Sequence, residues 1–176
     1  MLKSQNQKYQ MKVMVILMSS MKLEMTGDWN RAGLYMRNLA VKLKPAFEAQ
    51  LWEDGQMVLE KMRGHIDSQD LSWTPLAERT VELKGGDDTI YVETGALKNG
   101  LTVRRIKSTA KGSTIFIGAS PWKRHEGGMK MSDLMIWLEY GTDKIPPRPL
   151  VRPTIEEVED IIKSHWKELM QELVKG

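Results

Sequence analysis

Trp137-Leu-Glu-Tyr-Gly-Thr-Asp-Lys-Ile-Pro-Pro-Arg-Pro-Leu-Val-Arg-Pro153 decides how the chain is laid out. Its four prolines, 146, 147, 149 and 153, fix φ and remove backbone donors. The residues before them are pushed toward extended backbone. Gly141 to Pro153 is therefore expected to be extended and outside any central strand. Thr154-Ile-Glu-Glu157 reads as a capping box that opens a C-terminal helix. That helix carries Ile155, Val158, Ile161, Ile162, Leu169 and Leu173 along one stripe. An arm this stiff loses little entropy on ordering, which suits a strap laid along a neighbour. A rigid linker that positions the last helix is the plainer reading.

Upstream of the arm, Asp133 to Tyr140 is ambiguous between a helical turn and a short strand. Residues 119–132 read as a long mobile loop, near the length at which loops tend to carry function. Strands are expected over Leu101 to Lys107 and Thr114 to Gly118, with Lys111-Gly112 in the hairpin between them. A further short strand is expected over Thr89 to Glu93, broken by Thr94-Gly95. Thr74 and Pro75 suit the cap and first position of a helix that runs to about Lys84 and stops at Gly85-Gly86.

Nearer the N-terminus, Asp28 can cap a helix with Ala32, Met36, Leu39, Ala40 and Leu43 on one face. Pro45 is expected to end or kink it, or to sit in the first turn of the next. The second helical pattern holds Phe47, Leu51, Val58, Met62 and Ile66, weakened at Gly55 and Gly64. Met21 to Met25 alternates like a half-buried strand. Helices and strands do not alternate strictly. The expected class is α+β: a small antiparallel sheet packed against two or three helices, then the Pro-rich arm and the C-terminal helix.

The 176 residues suit one domain, taken as 21–176, preceded by an extension over 1–20. Seven of the thirteen methionines lie in the first 36 residues, so 1–20 reads as a docking arm or as a segment ahead of an alternative start. Val13 to Met18 is the longest apolar run. It is far shorter than the roughly 20 residues of a membrane span, and no membrane role is expected. Lys12 before it and Ser19-Ser20 after it sketch a signal peptide with an apolar stretch at the short limit.

Charge is unevenly distributed. Lys98 to Lys130 holds eight basic residues and one acid, a net +7. Thr154 to Gly176 holds three basic and six acidic residues, a net −3. Opposed faces of this kind can attract copies of the same molecule, or simply be solvated. The chain has no cysteine, which excludes disulfides, thiolate metal sites and thiol nucleophiles. The histidines, 65, 125 and 165, are scattered, and no cofactor or metal is expected. Neither a Gly-x-Ser-x-Gly elbow nor a P-loop is present. His125-Glu126 is the one pair that suggests acid–base work, and adjacent loop residues rarely converge on one atom. No catalytic residue is assigned, and the chain is not expected to be an enzyme. Trp122, between Pro121 and Lys123-Arg124, is instead the pattern of an interface anchor or a base-stacking platform.

Glu139-Tyr-Gly-Thr, followed by Ile145-Pro-Pro-Arg-Pro-Leu-Val-Arg-Pro153 and an amphipathic helix, resembles the Glu-Phe-Gly-Thr … Pro-x-Arg-Pro-Phe-Leu-Arg-Pro signature of tailed-bacteriophage neck, or tail-completion, proteins. These are also called virion-morphogenesis or minor tail proteins. Trp73-Thr-Pro-Leu-Ala-Glu-Arg-Thr80 with Lys84 resembles the family's Trp-x-Pro-Leu-x-x-x-Thr-x-x-x-Lys element. Thr94-Gly-Ala-Leu97 resembles its Thr-Gly-x-Leu element. The pieces fall in the family's order over roughly residues 21–173, with Leu150 where the family has Phe.

The resemblance implies a structural virion protein, assembled in the host bacterial cytoplasm. Copies would form a ring, six-fold by the symmetry of such tails, at the head–tail junction. There the tail tube joins the connector and DNA passes. Implied neighbours are a tail terminator, a connector or stopper, and the tube or sheath, with weak DNA contact in the channel. Trp73, Pro75, Leu76, Thr80, Thr94, Gly95 and Leu97 are the motif positions. Trp122, Lys123, Arg124, Glu139, Tyr140, Gly141, Pro146, Pro147, Arg148, Pro149 and Arg152 are expected at an interface with a subunit or neighbouring ring. The alternative is a small basic DNA-binding protein that uses residues 98–130.

Overall fold

Asp28 caps the first helix through its Oδ1, which accepts from Arg31 N at 3.0 Å. That helix, α1, spans Trp29–Ser68. The computed structural model describes residues 27–92, 94–109, 112–125 and 127–175. Residues 1–20, the expected strand at Met21 to Met25, and Glu126 of the His125-Glu126 pair lie outside them. The chain divides into two compact units, residues 1–38 and 39–176. In the first unit the described residues present Trp29, Leu34, Tyr35 and Met36 to solvent.

The remaining elements lie in the second unit. They are α2 (Glu78–Leu83), α3 (Ala96–Gly100), β1 (Leu101–Thr109), β2 (Gly112–Ala119), α4 (Met131–Tyr140) and α5 (Val151–Lys175). The class is α+β. The two strands pair antiparallel with Leu101 opposite Ala119 and Arg104 opposite Phe116, and a bulge falls between Arg105 and Lys107.

Pro45 neither ends a helix nor begins one: it lies inside the 40-residue α1. The ring removes the hydrogen bond to the carbonyl four residues back, on Val41. Val41 is 76 % exposed, so water can take that bond. Further along α1, Val58, Met62 and Ile66 are buried as their spacing requires. Gly55 does more than weaken the helix. A Cβ there would lie 2.6 Å from Ile115 Cδ1 and 3.1 Å from Val103 Cγ1, so its absence lets α1 press onto the sheet. Glu48 of α1 accepts from Ser108 and Ser113 on the two strands. The core joins this helix to Trp73, Tyr91, Leu101, Met135, Leu150 and Val158.

Several local expectations change. The helix expected from Thr74-Pro75 starts at Glu78, because the carbonyls of Thr74 and Pro75 accept from Arg148 instead of from the next turn. No strand forms over the described residues 89–92. There the Gln69 amide both accepts from Ile90 N and donates to Ile90 O, 2.9 Å each, and takes the place of a pairing strand. The ambiguous Asp133 to Tyr140 stretch is helical, within α4. In the loop before it, His125 N bonds Met129 O at 2.8 Å and Met131 N bonds Lys123 O at 3.0 Å. These bonds tie it into a closed turn.

The start of α5 also differs. It begins at Val151, and Thr154 is not its cap. Thr154 is fully buried and donates its hydroxyl back to Leu150 O at 2.6 Å. Of the sequence-expected stripe, Val158 is fully buried, whereas Ile155 and Ile161 face solvent. The buried side of α5 is set by Thr154 and Val158 and continues through Ile162.

Candidate functional site: a motif node and an exposed aromatic patch

Three separated pieces of sequence meet in one place. Trp73 is 8 % exposed, and its Nε1 donates to Pro149 O at 2.7 Å. Tyr91 stands against it with ring centroids 5.0 Å apart and donates its hydroxyl to Arg148 O at 2.5 Å. Arg148, 5 % exposed, sends Nε to Thr74 O at 2.7 Å and Nη2 to Pro75 O at 2.9 Å. Its own N–H donates to Leu138 O at 2.6 Å. Each polar group buried here has a partner, as burial demands. Burial pushes the Tyr91 phenol well above its ordinary range, with the Glu139 charge adding to it. Burial pulls the Arg148 guanidinium down, partly opposed by Tyr91. Tyr91 adopts φ +67°, an unusual backbone for a bulky residue, and its bond to Arg148 O holds it there.

Glu139 completes the node. Its Oε2 accepts from Leu150 N at 2.7 Å and Val151 N at 2.9 Å, and its Oε1 accepts from Arg152 N at 3.0 Å. Pro153 follows and has no N–H to satisfy. One carboxylate on α4 therefore caps the whole N-terminus of α5, and its charge suits the positive end of the helix dipole. Between the two lies Gly141, at φ +76° and ψ 177°. A Cβ there would come within 2.9 Å of both Ile145 O and Pro147 N, so only glycine fits. Thr142 to Ile145 then form a tight turn, with Thr142 N donating to Ile145 O at 2.8 Å.

The expected interface set therefore separates. Glu139 and Arg148, read from sequence as contacts for a neighbour, are engaged inside the chain. Tyr140, Pro146, Pro147, Pro149 and Arg152 are exposed. Trp122 is 66 % exposed and carries the Arg104 guanidinium 3.8 Å from its ring centroid. Beside it Lys123 donates to Asn99 O at 3.2 Å and Arg124 to Gly128 O at 2.6 Å. The other motif positions gather elsewhere. Leu76, Thr80, Thr94 and Leu97 line a cleft with Leu134 and Leu138. Gly95, at φ +72°, caps α3.

Sequence reasoning missed Tyr91, whose position gives no periodic signal. It also missed the polar contacts between α1 and α5. There Asp54, 4 % exposed, lies 2.7 Å from His165 Nδ1, and His65 Nε2 lies 3.0 Å from Glu157 Oε2. Among the described residues no group of three acidic or histidine side chains is placed to hold a metal ion. No described helix is long and apolar enough to cross a membrane. No protein-family model matches this chain, and no curated protein or solved structure matches it either.

Proposed function

We propose that the protein is a structural subunit of a bacteriophage head–tail junction, a ring-forming neck or tail-completion component. The observation that carries this reading is the convergence of the Trp73-Thr-Pro, Glu139-Tyr-Gly and Arg148-Pro-Leu150 segments in one buried node. Segments that resemble one family in order also depend on one another physically here. The node's polar groups are bonded to one another within the chain. Its chemistry is that of a brace, which fixes the arm and the start of α5 as a rigid unit. Trp122, Tyr140 and Arg152 are exposed, and in this reading they meet other subunits. Cryo-microscopy of purified virions and tail intermediates tests the reading. Density for this chain as a ring between tube and connector is the expected result, and its absence from particles and intermediates alike refutes it.

The Arg104–Trp122 stack within a net +7 region favours one other reading, a DNA-binding module. Contacts to several phosphates would make its affinity fall steeply with salt. Gel shifts at low salt decide it, since a chain that retains no DNA there is not such a module.

A further inference from the structure

Among the described residues of the second unit, an apolar groove stands open. Its walls are β2 over Phe116 to Ala119, α4 through Met135, Ile136 and Tyr140, and the start of α5 at Val151 and Arg152. It has a volume of about 320 Å³, room for an aromatic side chain. Ile136 is 55 % exposed and Tyr140 70 % exposed, so the groove is lined but not filled. Among the described residues the sheet has two strands, so the edge of β2 away from β1 pairs with no described strand. Past the groove, the first turns of α5 expose Ile155 among Glu156, Glu159 and Asp160, the last two shared with Lys163, which leaves this turn net negative.

The matching shape stands on the same molecule. Trp122 projects with Arg104 stacked on it, flanked by Lys123, Arg124 and Lys130, all exposed. An aromatic knob in a cationic field fits an apolar groove beside an anionic helix turn. We infer that the Trp122–Arg104 knob of one copy seats in the groove between β2, α4 and α5 of a second copy. This inference rests on the ring reading and names the contact that would build it. Knob and groove are different surfaces, so a head-to-tail pair keeps one free knob and one free groove and can grow, into a ring where the rotation between copies closes. The arginine stacked on the indole pre-orders the knob, which lowers the entropic cost of docking.

Sedimentation velocity of the full chain over a concentration series tests this. The wild type is expected to reach a closed assembly. Trp122→Ala with Arg104→Ala removes the knob, and Ile136→Lys places a like charge in the groove. Each is expected to raise the concentration for half-assembly by about tenfold or more. An equimolar mixture of the two variants is expected to give dimers that grow no further, because each pair retains one intact knob and one intact groove. Should Ile136→Lys lower the melting temperature, Tyr140→Ala serves in its place. Variants that assemble like wild type overturn this inference and leave the ring reading standing. A wild type that stays monomeric at every concentration overturns both. A mixture that recovers no dimer, or a knob variant that loses DNA retention while it assembles normally, also overturns the inference.

Discussion

Gly141 and Arg148 show how much of the arm rests on single residues. Gly141 combines a backbone region open only to glycine with backbone atoms 2.9 Å from where a Cβ would sit. Gly141→Ala is therefore expected to cost about 3 kcal/mol, the sum of a strained conformation and a clash with backbone that cannot step aside. Urea unfolding of the isolated subunit measures it, and an unchanged midpoint contradicts the account. Arg148→Ala leaves the Thr74 and Pro75 carbonyls without their donor and opens a void beside Trp73. A loss of about 2 kcal/mol is expected in the same experiment. Arg152→Ala provides the contrast. Its side chain is exposed and only its backbone N–H is engaged, by Glu139, so its effect on folding is expected within about 0.5 kcal/mol.

At the scale of elements, the start of α5 is the clearest case of a long-range contact displacing a local signal. The Thr154-Ile-Glu-Glu157 pattern satisfies every local rule for a cap. The helix nevertheless starts four residues earlier, at Val151, because a carboxylate on α4 reaches three amides that no nearby side chain serves. Glu139→Ala is expected to cost about 1–2 kcal/mol and to speed hydrogen exchange at Leu150, Val151 and Arg152 while leaving the end of α5 protected. Uniform exchange along the helix would show that the cap is not what holds it.

The same asymmetry runs through the rest of the fold. The antiparallel hairpin, the buried face of α1 after Phe47 and the stop at Gly85-Gly86 were legible, because periodicity and turn chemistry act over a few residues. Gln69 in place of a pairing strand, Gly55 as a contact surface and Arg148 as a brace were not legible, because each is defined by a partner more than twenty residues away. The contacts between α1 and α5 carry an acid-sensitive element. The Glu157 carboxyl is held below its usual range by Lys61 first and by His65, and Asp70 is lowered mainly by His65. Groups with depressed folded values stabilise above the unfolded carboxylate range, about pH 4, and lose that contribution as pH falls through the folded values. Stability is expected to drop on acidification below that range. Glu157→Gln is expected to flatten the drop, as pH-dependent thermal melts would read out.

For the whole molecule, the separation of charge between the hairpin side and α5 has a consequence that contact chemistry alone does not. An aromatic knob in a groove is nearly indifferent to salt, whereas opposed charges on its rim are screened over about 10 Å at 0.1 M and about 3 Å at 1 M ionic strength. The two contributions can therefore be separated in one titration of self-association against salt. The wild type is expected to associate less as salt rises, with a residual association at high salt carried by Trp122. Trp122→Ala is expected to lower association at every salt concentration while keeping the slope. Arg124→Ala with Lys130→Ala is expected to keep the high-salt limit and flatten the slope, because both residues are exposed and Arg124's one described bond is to its own loop. Light scattering at fixed protein concentration reads all three. If instead the wild type associates equally at all salt concentrations, the +7 and −3 regions are solvated faces, and the copies meet through apolar surface alone.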